Sequence, residues 1–263
     1  IFVATTNLRT LRGTSAFIID FAGIVDKIQS NFVVVSHNGD LSSPDGDDWH
    51  THEESFYAEQ HSYLLSNPRL LYWFASNCNW KNYPEAKPDK IICIPIGIEN
   101  RYNRVGKHPE KYFSYMQKRS QIVPNKRLLV AFGADSRKPS RAAALSALSA
   151  PWITKGTFRR EMYLQEVQSH IFVACPIGNG YDTHRVWEVL MLGAIPIVSV
   201  SPLDSLYKNL PVLIINNWSQ VDEAYLDNAH RQFLNRTDLQ NEKMFFPYWK
   251  NLVTNISSRR VDQ

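Results

Sequence analysis

Polar side chains at the start of one predicted helix could bind an anionic ligand. Thr183, His184 and Arg185 fall at or inside its first turn, and Glu188 lies one turn beyond His184 on the same face. The unpaired N–H groups and the positive dipole end of a helix N-terminus favour phosphate. Arg185 adds a bidentate donor, and the carboxylate of Glu188 can accept hydrogen bonds from ribose hydroxyls. A nucleoside diphosphate would use both kinds of group together.

Two apolar runs enclose that helix and predict a βαβ unit. Residues 171–175 and 195–200 are short and rich in β-branched side chains, as in buried strands. Between the first strand and the helix, the Gly-Asn-Gly run at 178–180 supplies backbone that tolerates unusual dihedral angles. Asp182 or Thr183 can cap the helix that follows.

The helix itself is recognised by its spacing and by its end. Its apolar side chains recur at helical intervals, and Gly193 ends it. The glycine loop therefore lies at the carboxyl end of a predicted parallel strand, where open α/β sheets bind ligands. A different interpretation stays open, in which the loop is a tight turn and Arg185 forms a surface ion pair with Glu188.

The same residues resemble the donor-site pattern of exostosin-like glycosyltransferases. The resemblance is strong over roughly residues 165–220 and weaker around 73–100. It is carried by the runs Pro176-Ile177-Gly178-Asn179-Gly180, Asp182-Thr183-His184-Arg185, Trp187-Glu188 and Gly193-Ala194-Ile195-Pro196-Ile197-Val198, and it continues through 201–207 and 210–214.

The resemblance implies a fold and a donor. Such enzymes have the GT-B fold, in which two Rossmann-like domains hold a nucleotide sugar in the cleft between them. By this resemblance Arg185 contacts the diphosphate and Glu188 the ribose, and a UDP-sugar is the favoured donor. The acceptor would be a hydroxyl group of a glycan or glycoconjugate. The resemblance does not identify the sugar.

Composition excludes several other classes of protein. The chain has 263 residues, 44% of them hydrophobic, and a net charge of only +4, so no dedicated nucleic-acid surface is expected. No membrane-spanning segment is expected either, because Asp20 interrupts the best apolar candidate at 17–25.

Cysteines and sequons bear on the compartment. Cys78, Cys93 and Cys175 lie in or beside apolar runs without metal-site spacing, and their odd number leaves room for at most one bridge. Glycosylation sequons begin at three asparagines, Asn217, Asn235 and Asn255. With the family resemblance, these sequons favour the Golgi or secretory lumen, and the cytoplasm is the alternative.

Strands and helices alternate along both halves of the chain, which predicts parallel sheets with crossover helices. Residues 101–126 are polar, basic and without periodicity, so the interdomain linker is expected there. We therefore predict an acceptor domain at 1–115 and a nucleotide-sugar domain at 116–263, each Rossmann-like. Tyr248 and Trp249, inside the last predicted helix, are expected to pack that helix across the domains.

Candidate acceptor-side residues follow predicted strands of the first half. His37 or Asp40 could act as the general base on an acceptor hydroxyl, because burial can tune either group. The alternative is a plain Asn-Gly turn with a capping Asp. Glu99 is a second candidate base, and Asn100 is a candidate acceptor contact, since both follow another strand.

By composition, an acidic loop is the best candidate for a metal site. Asp45 and Asp47 could hold a divalent cation together with neighbouring histidines. The loop follows Ser-Ser-Pro, however, and is better interpreted as solvated surface. If His184 and Arg185 neutralise the diphosphate, no metal is required, and we expect neither a metal nor another cofactor.

Further basic residues precede two predicted helices. Arg137 belongs to a basic cluster at 137–141 that could approach the same phosphates, or it could lie in a solvated turn. Arg159 and Arg160 are interpreted as a surface pair at a helix start.

The sequence thus predicts a metal-independent GT-B glycosyltransferase in which Arg185, His184 and the helix N-terminus stabilise the leaving diphosphate. An inactive relative that binds carbohydrate or a partner is one alternative. A dinucleotide-dependent oxidoreductase is another, although the loop lacks the third glycine of the dinucleotide fingerprint.

Overall fold

The chain is an α/β protein with parallel sheets, of the Rossmann-like class. The computed structural model describes residues 2–4, 21–37, 43–44, 63–79, 89–99, 109–133 and 139–258. The chain divides into two compact units, which are described separately below. The first unit comprises Ile1–Ile96, Asn179–Asp182 and Phe245–Gln263, and the second comprises Gly97–Gly178 and Thr183–Met244.

Strands and helices alternate through the described residues, as the sequence predicts. The strands are β1 (Phe2–Ala4), β2 (Phe32–His37), β3 (Ser43–Pro44), β4 (Leu70–Ala75), β5 (Cys78–Asn79), β6 (Ile91–Cys93), β7 (Lys126–Val130), β8 (Thr154–Lys155), β9 (His170–Ala174), β10 (Ile195–Ser199) and β11 (Leu213–Ile215). The helices are α1 (Phe21–Asp26), α2 (Pro109–Lys118), α3 (Pro139–Ala147), α4 (Arg160–Ser169), α5 (His184–Leu192), α6 (Asp204–Tyr207), α7 (Glu223–Leu234) and α8 (Phe246–Ser258).

A four-stranded sheet of order β1-β2-β4-β6 forms the centre of the first unit, and all its strand pairs are parallel. Val35, Phe74 and Ile94 are buried on it, and Trp249 of α8 packs against them. The last helix therefore belongs to the core of the first unit. Its apolar face, rather than its position late in the sequence, decides which unit it joins.

The second unit contains a five-stranded parallel sheet of order β11-β10-β9-β7-β8. Both faces of this sheet are covered: Leu128 and Phe172 lie in one apolar cluster, while their neighbours Leu129 and Val173 are fully buried as well. Numbered within the unit, the strand order is 2-1-3-4-5, so the direction of winding reverses between β7 and β9. Doubly wound sheets bind ligands at such a reversal, beyond the carboxyl ends of the strands.

Two sequence-based expectations about organisation differ from the structure. The stretch expected to be a patternless linker contains α2, whose Tyr112 is 2% exposed. The predicted boundary at 115/116 also differs from the compact units, because the second unit starts at Gly97 and the first includes residues near the C-terminus. The buried Tyr112 of α2 and the packing of the half-buried Trp249 of α8 against the first core explain both differences.

Candidate functional site

The predicted βαβ unit is confirmed as β9, α5 and β10 in the second unit. Thr183 is the N-cap of α5, with extended dihedral angles. Its side chain makes no capping hydrogen bond, and within the described part of the chain its buried Oγ1 atom has no hydrogen-bond partner. The first-turn N–H groups of α5 are therefore not capped by the side chain of Thr183.

Arg185 lies in the first turn of α5 and reaches the end of β7. Its guanidinium carbon is 5.6 Å from the ring centroid of Phe132, in cation–π contact. The Nε atom is buried and makes no hydrogen bond to any residue that the structure describes. Leaving a buried charged donor unsatisfied costs free energy, so this geometry suits a guanidinium that completes its bonds with a ligand.

A second guanidinium lies close to the glycine loop. A Cβ atom added to Gly178 would be 3.5 Å from Nη2 of Arg141 and 2.9 Å from Cγ2 of Thr183. Arg141 is in the first turn of α3, and it ends the basic cluster that the sequence associates with phosphate binding. Arg137, the residue predicted from that cluster, lies outside the described residues.

Arg141 lies close to Gly178, and Arg185 contacts Phe132. Phe132 follows β7 and Gly178 follows β9, so both flank the reversal. Two guanidinium groups beside a helix N-terminus make this end of the sheet strongly attractive to anions.

His184 is directed toward other protein groups instead of outward as a ligand donor. Its Nδ1 atom donates to the carbonyl oxygen of Gly97 at 2.7 Å, and its Nε2 atom is 3.5 Å from Oε2 of Glu99. Glu99 is buried, at 4% exposed, and Gly97 adopts a φ of +71°, which glycine tolerates. The structure therefore brings together two residues that the sequence assigns to donor and acceptor, and it favours a positioning role for His184.

Glu188 is buried and accepts hydrogen bonds from two other helices. Its Oε1 atom accepts from Oη of Tyr112 at 2.7 Å and from Nη2 of Arg160 at 2.6 Å. Its Oε2 atom accepts from Nη1 of Arg160 at 3.2 Å. Burial raises the pKa of Glu188, while the nearby charges of Arg160 and Arg185 act in the opposite direction.

This network corrects two expectations. Arg160 was expected to be a surface residue, yet it forms a two-pronged ion pair with Glu188. The alternative in which Arg185 pairs with Glu188 at the surface also fails, because Glu188 is 4% exposed and its ion pair is to Arg160. The sequence gives little signal for this pairing, since Tyr112 and Arg160 lie 76 and 28 positions from Glu188.

The middle of the glycine loop, Asn179–Asp182, belongs to the first unit. The Asp182 carboxylate accepts the Ile96 N–H at 2.8 Å, and the Asp182 N–H donates to Oδ1 of Asn77 at 2.7 Å. A Cβ atom on Gly180 would lie 2.6 Å from the same oxygen of Asn77. Gly180 is therefore required by close packing, and Asp182 binds a backbone N–H of the first unit instead of capping α5.

The predicted acceptor-side residues are only partly within the described structure. His37 ends β2, and its Nε2 atom donates to the carbonyl oxygen of Pro95 at 3.1 Å. Asp40 and Asn100 lie outside the described residues. The assignment of the general base therefore stays a prediction.

One pair of cysteines is bridged. Cys78 and Cys93 form a disulfide with a Cα–Cα distance of 5.6 Å. Cys175 is a free thiol, and burial raises its pKa to about 12, which makes it a poor nucleophile.

The described residues contain neither a metal-binding group nor a helix that could span a membrane. No three His, Cys, Asp or Glu side chains there are grouped so that they could hold a metal ion, and the loop with Asp45 and Asp47 lies outside those residues. No helix in the described part has both the length and the apolar character needed to cross a bilayer.

Comparison with known proteins does not assign the chain to a family. No family model matches it, and no curated protein matches it.

Proposed function

We propose that the chain is a glycosyltransferase of the GT-B fold that moves a sugar from a nucleoside diphosphate donor to a hydroxyl group. The observation that carries this proposal is the buried, unsatisfied Nε of Arg185 at the N-terminal turn of α5. This turn flanks the winding reversal of a parallel sheet, the usual position of a ligand in such sheets. The sequence resemblance to exostosin-like enzymes at 165–220 supports the same donor.

The proposed chemistry is electrostatic. When the bond between the sugar and the diphosphate breaks, negative charge grows on the leaving diphosphate oxygens. Arg185, Arg141 and the N–H groups of α5 would stabilise that charge, and they are in place before the reaction begins. These groups supply positive charge of the kind that a metal ion would otherwise bring, so we propose that no metal is needed.

The acceptor hydroxyl needs a base only if the reaction inverts the anomeric centre. We propose Asp40 or His37 for this role, with Glu99 as a further candidate. Glu99 faces His184 at 3.5 Å, so its carboxylate already contacts a protein side chain, which favours one of the other two. A retaining mechanism would need none of them.

The compartment proposed for the protein is a secretory lumen. A disulfide bridge persists in oxidising compartments, and the chain has one between Cys78 and Cys93. The asparagines of the three sequons, Asn217, Asn235 and Asn255, are all exposed, so each could carry a glycan.

The decisive experiment measures nucleotide binding and sugar transfer for wild type and Arg185→Ala. We expect UDP or GDP to bind the wild type. In Arg185→Ala, kcat/KM should fall by an amount equivalent to a loss of about 2–4 kcal/mol in transition-state stabilisation, partly through kcat. Arg231→Ala, which changes an exposed arginine on α7, is the matched control and should leave both quantities unchanged. Turnover should also persist in EDTA.

Several outcomes would contradict the proposal. Wild-type kinetics in Arg185→Ala would remove the donor site from α5. Thermal stabilisation by NAD alone, in a panel that includes nucleotide sugars, would favour the oxidoreductase. Nucleotide binding without transfer or donor hydrolysis would favour the inactive relative.

Slower turnover in Asp40→Asn or in His37→Ala, with donor affinity retained, would identify the base.

A further inference from the structure

Three helices of the second unit meet at the buried carboxylate of Glu188. Tyr112 comes from α2, Arg160 opens α4, and Glu188 lies in the second turn of α5. The guanidinium of Arg160 is also 5.1 Å from the ring centroid of Tyr112 and 5.5 Å from that of Tyr163. Arg160 is thus held by two aromatic rings while it binds both oxygens of Glu188.

The hydrogen-bond geometry leaves Glu188 with limited acceptor capacity. A carboxylate has about four acceptor positions, two on each oxygen. Tyr112 and Arg160 together occupy both positions on Oε1, and Arg160 occupies one on Oε2. One position on Oε2 remains, so in this arrangement the carboxylate can accept one further hydroxyl and cannot grip a diol with both oxygens.

Burying a carboxylate costs free energy unless it is paired, which explains why both oxygens of Glu188 accept hydrogen bonds from the protein. Glu188 is 4% exposed, and the Arg160 side chain is 30% exposed. A carboxylate held from two other helices cannot rotate freely about its terminal bond. The direction of the remaining Oε2 acceptor is therefore fixed by Arg160 and Tyr112.

We infer that Arg160 and Tyr112 are positioning residues that aim the remaining acceptor of Glu188 at one ribose hydroxyl of the donor. This inference rests on the proposed function and names the part of the donor that the network selects. The protein should bind a ribonucleotide more tightly than the analogue that lacks that one hydroxyl. Loss of the other ribose hydroxyl should leave the affinity unchanged.

The test is a set of binding isotherms with UDP, 2′-deoxy-UDP and 3′-deoxy-UDP, repeated with the guanosine series. In the wild type, one of the two deoxy analogues should bind about tenfold to a hundredfold more weakly than the parent nucleotide, because a hydrogen bond to a charged acceptor is lost. The other analogue should bind like the parent.

The variants are chosen to keep the charge and the fold. Arg160→Lys keeps the positive charge and loses the two-pronged bond, and Tyr112→Phe removes a single hydroxyl group. Both should reduce the discrimination between the parent nucleotide and its deoxy analogue toward unity. Arg159→Lys, at the exposed neighbouring position, is the matched control and should retain the discrimination. Thermal unfolding of each variant confirms that the protein is folded.

The outcomes separate this inference from the proposed function. A purely structural network would lower the unfolding temperature of Arg160→Lys and Tyr112→Phe and leave the discrimination ratio intact, which would overturn the inference alone. Equal loss of affinity for both deoxy analogues would overturn the single-acceptor geometry. A wild type that binds no nucleotide from either series would overturn the proposed function and this inference together.

Discussion

His170 is a buried histidine that the proposed chemistry does not use. It opens β9 and is 0% exposed, and its Nδ1 atom donates to the carbonyl oxygen of Glu166 at 2.6 Å. Its Nε2 atom is buried without a hydrogen-bond partner in the described part of the chain. Burial lowers the pKa of His170, and the positive charge of Lys126 lowers it further, while Glu166 acts in the opposite direction. The fold therefore holds a neutral imidazole.

The consequence is a stability that falls in mild acid. In the unfolded chain His170 takes up a proton below about pH 6.5, whereas in the folded protein its pKa lies lower. Below that pH the unfolded state binds more protons, so unfolding becomes easier, with a slope of at most about 1.4 kcal/mol per pH unit from this group. Above that pH the imidazole is neutral in both the folded and the unfolded state, so His170 does not change the free energy of unfolding.

His170→Gln should lose this dependence. We expect urea midpoints measured from about pH 7 to about pH 5 to fall less steeply in His170→Gln than in wild type, because the variant cannot take up this proton. Comparison of the two slopes cancels the carboxylates that both proteins share. Equal slopes would show that His170 takes up its proton equally in the folded and unfolded states, which would contradict the lowered pKa.

The roles of single residues were predictable only where local sequence determines them. Arg185 and Gly193 take positions that the helix pattern alone indicates. Asn77 has a positive φ and binds the N–H of Asp182, 105 positions away, which no local pattern reveals. Arg160 was misplaced for the same reason, since its partner Glu188 becomes a neighbour only after the helices pack.

At the scale of elements, α5 is specified at both ends. Its C-terminus has the two backbone bonds of a Schellman motif, from Gly193 N–H to Leu190 O at 3.1 Å and from Ala194 N–H to Val189 O at 3.2 Å. Gly193 has a φ of +92°, and the side chain of Arg119 lies directly against its Cα. A positive guanidinium beside the last turn also complements the helix dipole.

Gly193→Ala should therefore destabilise the second unit. The left-handed conformation costs about 1–2 kcal/mol for a residue with a Cβ atom, and that atom would overlap Arg119. We expect a loss of about 1–3 kcal/mol in the free energy of unfolding, measured by urea denaturation.

Gly133→Ala provides the matched control for this helix end. A Cβ atom at Gly133 would meet nothing within 4 Å, and its φ is not positive. Its free energy of unfolding should change by no more than about 0.5 kcal/mol. A loss of similar size in both variants would mean that the capping geometry of Gly193 contributes nothing specific.

Elements were predictable where the apolar spacing is regular. Residues 70–75 form β4 as the sequence indicates, and α3, α4 and α5 follow closely the segments expected for them. The helix α2 was missed because its residues are polar on average, although its few apolar side chains are spaced as in an amphipathic helix. The short strand β8 and the short helix α6 are held by their neighbours and have too few residues to show a period.

At the scale of the whole molecule, the four-stranded and five-stranded parallel sheets give the described part of the chain two cores. Alternation of strands and helices predicts this arrangement. The return of α8 to the first unit depends on long-range packing of Trp249, and the reversal between β7 and β9 depends on strand order. The local sequence pattern predicts neither the packing of α8 in the first unit nor this strand reversal, because both depend on contacts between segments far apart in the sequence.

The first unit also carries the covalent link of the chain. Cys78 follows β4 closely and Cys93 ends β6, two strands that already pair with each other. The bridge closes a short loop, and the main consequence of such a bridge is a smaller conformational entropy of the unfolded chain. Its effect should therefore appear in the stability of the first unit, whereas Arg141 and Arg185 belong to the second.

Thiol counting tests the bridge and assigns it to this pair. Of the three cysteines, we expect only Cys175 to react in denaturant without reductant, and all three after reduction. In the folded protein Cys175 should stay unreactive, because it is buried and its pKa is raised to about 12. Three reactive thiols in the unreduced, denatured protein would contradict the bridge and remove its support for an oxidising compartment.

Removal of the bridge should then weaken the first unit selectively. The two cysteines are 15 positions apart, and a loop of that length corresponds to about 3 kcal/mol of stabilisation. In the double variant Cys78→Ala and Cys93→Ala, hydrogen exchange should accelerate in β4 and β6, because opening of that sheet costs less free energy. Amides of β9 and β10, in the other unit, serve as the internal control and should keep their protection. Equal acceleration in both sheets would show that the two units open as one cooperative structure, and no acceleration in either would show that the bridge leaves the stability of the sheet unchanged.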